Sequence, residues 1–312
     1  MLANLKNFFR GKIRESKKIE TETFYPSDDV IGDEESAQQN IDFIIFERQH
    51  ENNPKIIELT EKIYNQTDEM TRKYIKNIRI GRCGESDGAT GNGENDGDFE
   101  IIIKINHFLH GEWIQENFNQ MVEKRFVDTL THELIHARNI SNLVTFNSSE
   151  YQLIKKDRIA YLAWVFLDEY VACKITAEKN NCFDHDRKSS DIDAIIKIPL
   201  YDMINSDSFL SQGELSQIVK NSNFNSLHAM FYSIATRVAL SEVSSDYESL
   251  IYTRQKLHET FIKECRMLLR HYHSISPLDR MQYYSFGVKL ITEYLLTIDR
   301  HDRLVKNVEN LV

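Results

Sequence analysis

The stretch "LTHELIHARN", residues 130–139, contains two histidines four positions apart, and a glutamate follows the first of them. In a helix, residues i and i+4 lie about 40° apart around the axis, so the imidazoles of His132 and His136 would point the same way. Two neutral imidazoles can share one Zn²⁺ ion. Glu133 is offset by about 100°, which keeps its carboxylate out of the ligand set but close enough to take a proton from a water on the metal. The pattern therefore predicts zinc ligands at His132 and His136 and a general base at Glu133.

A third zinc ligand is predicted from the later segment "DEYVAC", where Asp168 and Glu169 interrupt an otherwise apolar run. An ionised carboxylate is not buried without a partner, and a metal ion is one of the few adequate partners. Glu169 has apolar neighbours one turn before and one turn after it, so we expect Glu169 to be the ligand, with Asp168 as the alternative. An ion pair with Arg125 or Arg138 is the interpretation without a metal. Cys173, one turn beyond Glu169, is expected to be a small core residue.

Two long helices are predicted to carry these residues. Phe126, Leu130 and Leu134 repeat every four residues and form the core-facing stripe of a helix over about residues 116–139. The carboxylates belong to a second helix over about residues 150–179, because this stretch contains neither glycine nor proline. Packed helices would hold the side chains of the site in place.

The segments before the motif predict a helix, a loop and a strand. Apolar residues at helical spacing indicate one helix over about residues 54–78. The glycine-rich residues 81–97 indicate a flexible hairpin or lid loop. In "FEIIIKIN", residues 99–106, one face is apolar throughout and the other is mostly polar, as in a half-buried strand. This strand precedes His132 much as the edge strand that pairs with an extended substrate precedes the motif in zinc peptidases, and this resemblance implies a sheet edge at residues 99–106.

Composition excludes several classes of protein. The chain has 312 residues, is 41% hydrophobic and carries a net charge of −10, which argues against a nucleic-acid partner. Its four cysteines form no CxxC pair and are expected to be reduced thiols in the cytoplasm. The basic N-terminus lacks a continuous apolar run, so we expect no export, and no window is apolar enough to span a membrane.

"THELIHARN" followed by "DEYVACKITA" resembles the zincin metallopeptidases, in the gluzincin arrangement of two helix histidines and a glutamate from a following helix. The pairing is also similar to HExxH proteins of the ImmA/IrrE type in bacteria. The resemblance covers about residues 99–178. The gap between His136 and Glu169 is longer than in the compact version of the motif, and no third histidine follows as in a metzincin.

The resemblance implies a zinc metalloprotease, a hydrolase that cuts protein or peptide substrates with a zinc-activated water and Glu133 as general base. His228 and C-terminal tyrosines are candidates to stabilise the oxyanion. The expected fold is α+β and mostly helical: a flexible basic and acidic segment over residues 1–40, a zincin-like domain over 41–200 and a helical region over 201–312. The alternative is a regulatory or interaction protein on a zincin scaffold with little or no proteolytic activity.

Overall fold

The computed structural model describes most of the chain from residue 39 onward. The described residues are 39–41, 43–47, 53–81, 83, 87–95, 98–106, 108–109, 112–113, 119–180, 191–204, 215, 219, 224–274 and 282–309. Nearly all of the predicted N-terminal segment therefore lies outside the described residues. The fold is α+β and mostly helical, as predicted. The division into a zincin-like domain and a C-terminal helical region stays a prediction.

Five strands form a mixed sheet in the order β1-β2-β3-β5-β4. They are β1 Gln39–Ile41, β2 Ile44–Phe46, β3 Ile75–Gly81, β4 Gly88–Asn95 and β5 Asp98–Asn106. Strands β2, β3 and β5 run parallel to one another, whereas β1 and β4 are antiparallel to their neighbours. Two short strands, β6 Phe108–Leu109 and β7 Glu112–Trp113, form a separate antiparallel pair.

The predicted strand is correct, but its predicted position at the sheet edge is wrong. Ile101, Ile103 and Ile105 of β5 are fully buried, as the alternating pattern indicates. β5 nevertheless lies between β3 and β4, because both of its sides are hydrogen-bonded. β4 is one of the two edge strands, and it lies in the glycine-rich segment that the sequence predicts to be a flexible hairpin or lid loop. The hairpin alternative predicted for this segment is correct, since β4 and β5 are consecutive antiparallel strands.

The described residues include nine α-helices. They are α1 Pro54–Asn65, α2 Glu69–Tyr74, α3 Gln120–Phe146, α4 Ser148–Lys156, α5 Arg158–Asn180, α6 Ile192–Ile204, α7 Phe224–Val243, α8 Lys256–Ser274 and α9 Tyr283–Glu309. A 3₁₀ helix, Ser245–Ile251, follows α7. The helical character expected after residue 200 is thus present in the described parts of that region.

Two helix predictions missed a break. The single helix expected over residues 54–78 is interrupted at Asp68, whose side chain caps α2 by accepting a hydrogen bond from the Thr71 backbone, and the chain then becomes strand β3. The helix expected over residues 150–179 is interrupted at Asp157, which has extended backbone angles and accepts hydrogen bonds from the first turn of α5. An aspartate therefore interrupts the predicted helix in both places.

The site is carried by two helices, α3 and α5, which pack against each other. α3 packs its predicted stripe of Phe126, Leu130 and Leu134 against the isoleucines of the sheet, and these three side chains are almost completely buried. α5 packs against α3, and α7 and α9 from the C-terminal region pack against α5. Burial of this apolar surface fixes α5 between the motif helix and the C-terminal helices.

Among the helices of the described residues, none combines the length and the apolar character that crossing a membrane requires.

Candidate metal centre

The two motif histidines meet on one face of α3. Their Nε2 atoms lie 2.9 Å apart, and their rings are nearly perpendicular at a centroid separation of 4.5 Å. The side chains are only 10% and 15% exposed for His132 and His136, respectively. The spacing of four residues therefore converges two imidazole nitrogens on one point, as the helical interpretation predicts.

Glu169 of α5 brings a carboxylate oxygen to the same point. Its Oε2 lies 3.6 Å from Nε2 of His132 and 3.5 Å from Nε2 of His136, and the side chain is 2% exposed. Nitrogen and oxygen ligands bind Zn²⁺ at about 2.0–2.1 Å, so a tetrahedral site has ligand-to-ligand distances of about 3.3 Å. The three atoms form a triangle of nearly these dimensions. The donor set and its spacing could therefore hold a metal ion.

Asp168, the alternative ligand, contacts the other nitrogen of His136. Its Oδ2 lies 2.7 Å from Nδ1 of His136, and its Oδ1 accepts a hydrogen bond of 2.7 Å from the Asn139 amide. A carboxylate at Nδ1 holds the proton there and leaves the Nε2 lone pair of a neutral ring for a metal. Asp168 and Glu169 therefore approach opposite nitrogens of one imidazole, and only Glu169 faces both histidines.

The charges of these groups depend strongly on one another. Burial alone would lower the pKa of His136, but the Asp168 carboxylate raises it well above its usual value. Burial alone would raise the pKa of Glu169, but His132 and His136 hold it well below its usual range. Positive charge at the centre of the site is therefore favoured by two buried carboxylates, and a divalent cation satisfies the same requirement as a proton on the imidazole.

Glu133, the predicted general base, is held against the edge strand. Its Oε2 accepts a hydrogen bond of 2.7 Å from Thr90 Oγ1 of β4, and the same hydroxyl lies 3.0 Å from the Glu133 carbonyl oxygen. Gly88, two residues earlier on β4, permits this approach, because a Cβ there would lie 2.8 Å from Glu133 Oε1 and 2.7 Å from Thr129 Cγ2. The sheet edge thus fixes one carboxylate oxygen of Glu133.

The second oxygen of Glu169 is occupied by two donors. Thr236 Oγ1 of α7 lies 2.8 Å from Oε1, and Cys173 Sγ of α5 lies 3.2 Å from the same atom. The His132, Glu169 and Cys173 donor atoms all lie within 4.8 Å of one another. The interpretation of Glu169 as the partner of a buried arginine is not supported at Arg125, whose Nε donates to Asp87 over 2.9 Å.

His228, a candidate oxyanion donor, lies on α7 within electrostatic range of the centre. Burial lowers the pKa of His228, and the negative charge of Glu169 opposes that shift. Its ring stacks with Tyr161 of α5 at a centroid separation of 6.0 Å. The imidazole is therefore favoured in its neutral form, which retains one N–H donor.

Several residues of the centre were missed from the sequence. Thr90 and Gly88 fell in the segment expected to be a loop, and Thr236 is an unremarkable threonine inside a helix. Cys173 is buried as expected, but its contact with Glu169 was not foreseen, although the i, i+4 spacing of the two residues is a signal that could have suggested it.

The comparison with known proteins finds no match for this chain among protein-family models, curated proteins or solved structures.

Proposed function

We propose that this protein is a zinc-dependent metallopeptidase that hydrolyses peptide bonds in a protein substrate. The observation that carries the proposal is the triangle of His132 Nε2, His136 Nε2 and Glu169 Oε2, with sides of 2.9, 3.5 and 3.6 Å. Glu133 lies on the same helix as the histidines. Two imidazoles, one carboxylate, an open coordination position and an adjacent carboxylate base are the parts that hydrolysis at zinc requires.

When bound, zinc would supply a Lewis acid for the scissile carbonyl and lower the pKa of a water molecule. Glu133 would accept the proton of the attacking water and deliver it to the leaving amine. Thr90 anchors Oε2 of Glu133, so Oε1 is the oxygen suited to this transfer. Asp168 keeps the His136 ring in the tautomer and orientation that leave Nε2 for the metal.

The edge strand supports a peptide as the substrate. β4 is the last strand in the sheet order, and its Thr90 contacts the catalytic glutamate. An extended chain can add to a sheet edge through backbone hydrogen bonds. A peptide that pairs with β4 would lie beside Glu133. The glycines at positions 91 and 93 add no side chain that could obstruct such pairing, and a Cβ at Gly93 would meet no atom within 4 Å.

Metal analysis tests the site. Purified wild-type protein is expected to contain or take up about one zinc per chain, whereas the double variant His132→Ala, His136→Ala should retain none, because a single carboxylate cannot hold the ion. His271→Ala, which removes an exposed histidine of α8, is the matched control and should keep the wild-type zinc content. Stoichiometric zinc in the double variant, or no uptake by the wild type, would overturn the assignment.

A second variant tests the contact between β4 and the base. Gly88→Ala should lower hydrolysis by about 10- to 100-fold, because the new Cβ must displace the Glu133 side chain and a shift of about 1 Å can cost that much. Zinc content should not change. Gly93→Ala is the control on the same strand, since a Cβ there has open space. Turnover and bound zinc are to be measured for both variants. Equal turnover in the two would contradict the proposed role of β4.

A further inference from the structure

The carboxylate of Glu169 is divided between two environments. Its Oε2 faces the imidazoles of His132 and His136, whereas its Oε1 accepts hydrogen bonds from Thr236 and Cys173. Both donors are completely buried. One oxygen is therefore directed at the predicted metal position, and the other is held away from it by two donors from two helices.

The hydroxyl of Thr236 has a choice of acceptors. Its Oγ1 lies 2.8 Å from Glu169 Oε1 and 3.1 Å from the Tyr232 carbonyl oxygen one turn earlier on α7. A hydroxyl carries one proton, and a bond to an ionised carboxylate is shorter and stronger than one to a neutral carbonyl. The shorter distance agrees with donation to Glu169. The thiol of Cys173 supplies a second, weaker donor to the same oxygen.

We infer that Thr236 and Cys173 are positioning residues that restrict Glu169 to binding the metal through Oε2 alone. This inference rests on the proposed zinc site. With Oε1 engaged, a carboxylate keeps one ligand atom for the ion and leaves the coordination position for water open. Because Thr236 lies on α7, the predicted C-terminal region would then supply part of the metal centre, although none of its described residues is among the converging donor atoms.

Direct ligation by Cys173 is the competing arrangement. Its Sγ lies close enough to His132 and Glu169 for a shared ion. A ligating sulfur must be a thiolate, however, and a thiolate would place a negative charge 3.2 Å from Oε1 of Glu169. A neutral thiol that donates to Oε1 avoids this repulsion. The geometry therefore favours Cys173 as a hydrogen-bond donor.

Zinc affinity in matched threonine variants tests the inference. Thr236→Val keeps the shape of the side chain and removes the hydroxyl, and it should weaken zinc binding about tenfold in competition with a chromophoric chelator. Thr236→Ser keeps the hydroxyl and should bind zinc like the wild type. Thr176→Val is the control for loss of a buried hydroxyl, because Thr176 of α5 is also fully buried and donates to the Ala172 carbonyl.

The absorption spectrum of the cobalt-substituted protein reports the coordination number of the metal, which a general loss of packing would not change. In Thr236→Val, Oε1 is released and can join Oε2 on the metal, so the visible d–d bands of bound Co²⁺ should weaken as coordination rises from four to five. Cys173→Ala should weaken metal binding in the same direction. It should not remove a sulfur-to-cobalt charge-transfer band, because the wild type is expected to have none.

The outcomes separate this inference from the proposed function. A wild-type protein that binds no zinc would overturn both. Normal zinc binding with unchanged affinity and spectrum in both Thr236→Val and Cys173→Ala would overturn the positioning role alone. A charge-transfer band that disappears in Cys173→Ala would identify the thiolate as a ligand and also overturn it. Thermal melting of each metal-free variant checks that the variant is folded. If Thr236→Val does not fold, Cys173→Ala is used for the test.

Discussion

Replacement of Glu133 by glutamine is expected to reduce peptide hydrolysis by about 10²- to 10⁴-fold, the contribution of a positioned general base. Glutamine keeps the size of the side chain and can still accept the Thr90 hydrogen bond through its carbonyl oxygen, but it cannot take a proton from water. Zinc content should remain at about one per chain, since Glu133 is not among the converging donor atoms. Release of new N-termini from a peptide mixture, followed by mass spectrometry, measures the effect.

The matched control for this experiment is Glu123→Gln on the same helix. Glu123 lies at the start of α3, forms an ion pair with Lys55 and is 30% exposed. Its replacement therefore removes one charge without changing the centre. Hydrolysis should be unchanged in that variant. If the wild type shows no hydrolysis above Glu133→Gln while both bind zinc, the alternative of a regulatory protein on a metal-binding scaffold would be favoured over catalysis.

Replacement of Glu169 by alanine is expected to weaken zinc binding by more than about 10²-fold, beyond the 10- to 100-fold typical of losing a residue that only orients a ligand. The reason is that Oε2 is the sole carboxylate oxygen facing both imidazoles among the described residues. Thermal melting with and without added zinc measures the effect: the zinc-dependent rise in melting temperature should disappear. Glu178→Ala, an exposed site on the same helix, should keep the rise.

Asp168→Asn should give an intermediate result. From the sequence alone, Asp168 is expected to matter little to zinc, because it points about 100° away from Glu169 on the helix. Its contact with Nδ1 of His136 changes that expectation, and a loss of about tenfold in zinc affinity should follow. If Asp168→Asn abolishes zinc binding and Glu169→Ala preserves it, Asp168 is the ligand, and Glu169 is not.

The larger errors made from the sequence share one cause. The six glycines of residues 81–97 predict a backbone that turns often, as in a flexible hairpin or lid loop, yet residues 88–95 pair along their length with β5. That pairing places β5 inside the sheet and makes β4 an edge strand. Strand order and the partners of a strand depend on the whole sheet, which local propensity does not contain. The breaks at Asp68 and Asp157 are smaller errors, since aspartate caps a helix start as readily as it sits on a helix surface.

Helix geometry and burial are enough to predict part of the centre from the residues alone. His132 and His136 share a face because four residues span slightly more than one turn, and Glu169 turns inward because its neighbours along the helix are apolar. The residues that surround these groups, in contrast, depend on how the sheet and the helices pack. Thr90 reaches Glu133 across 43 residues of chain, and Thr236 reaches Glu169 across 67. These contacts form only when β4 has packed against α3 and α7 has packed against α5. Hydrogen-bond partners so distant in the chain are set by the packing of whole elements, and neighbouring residues in the sequence do not reveal them.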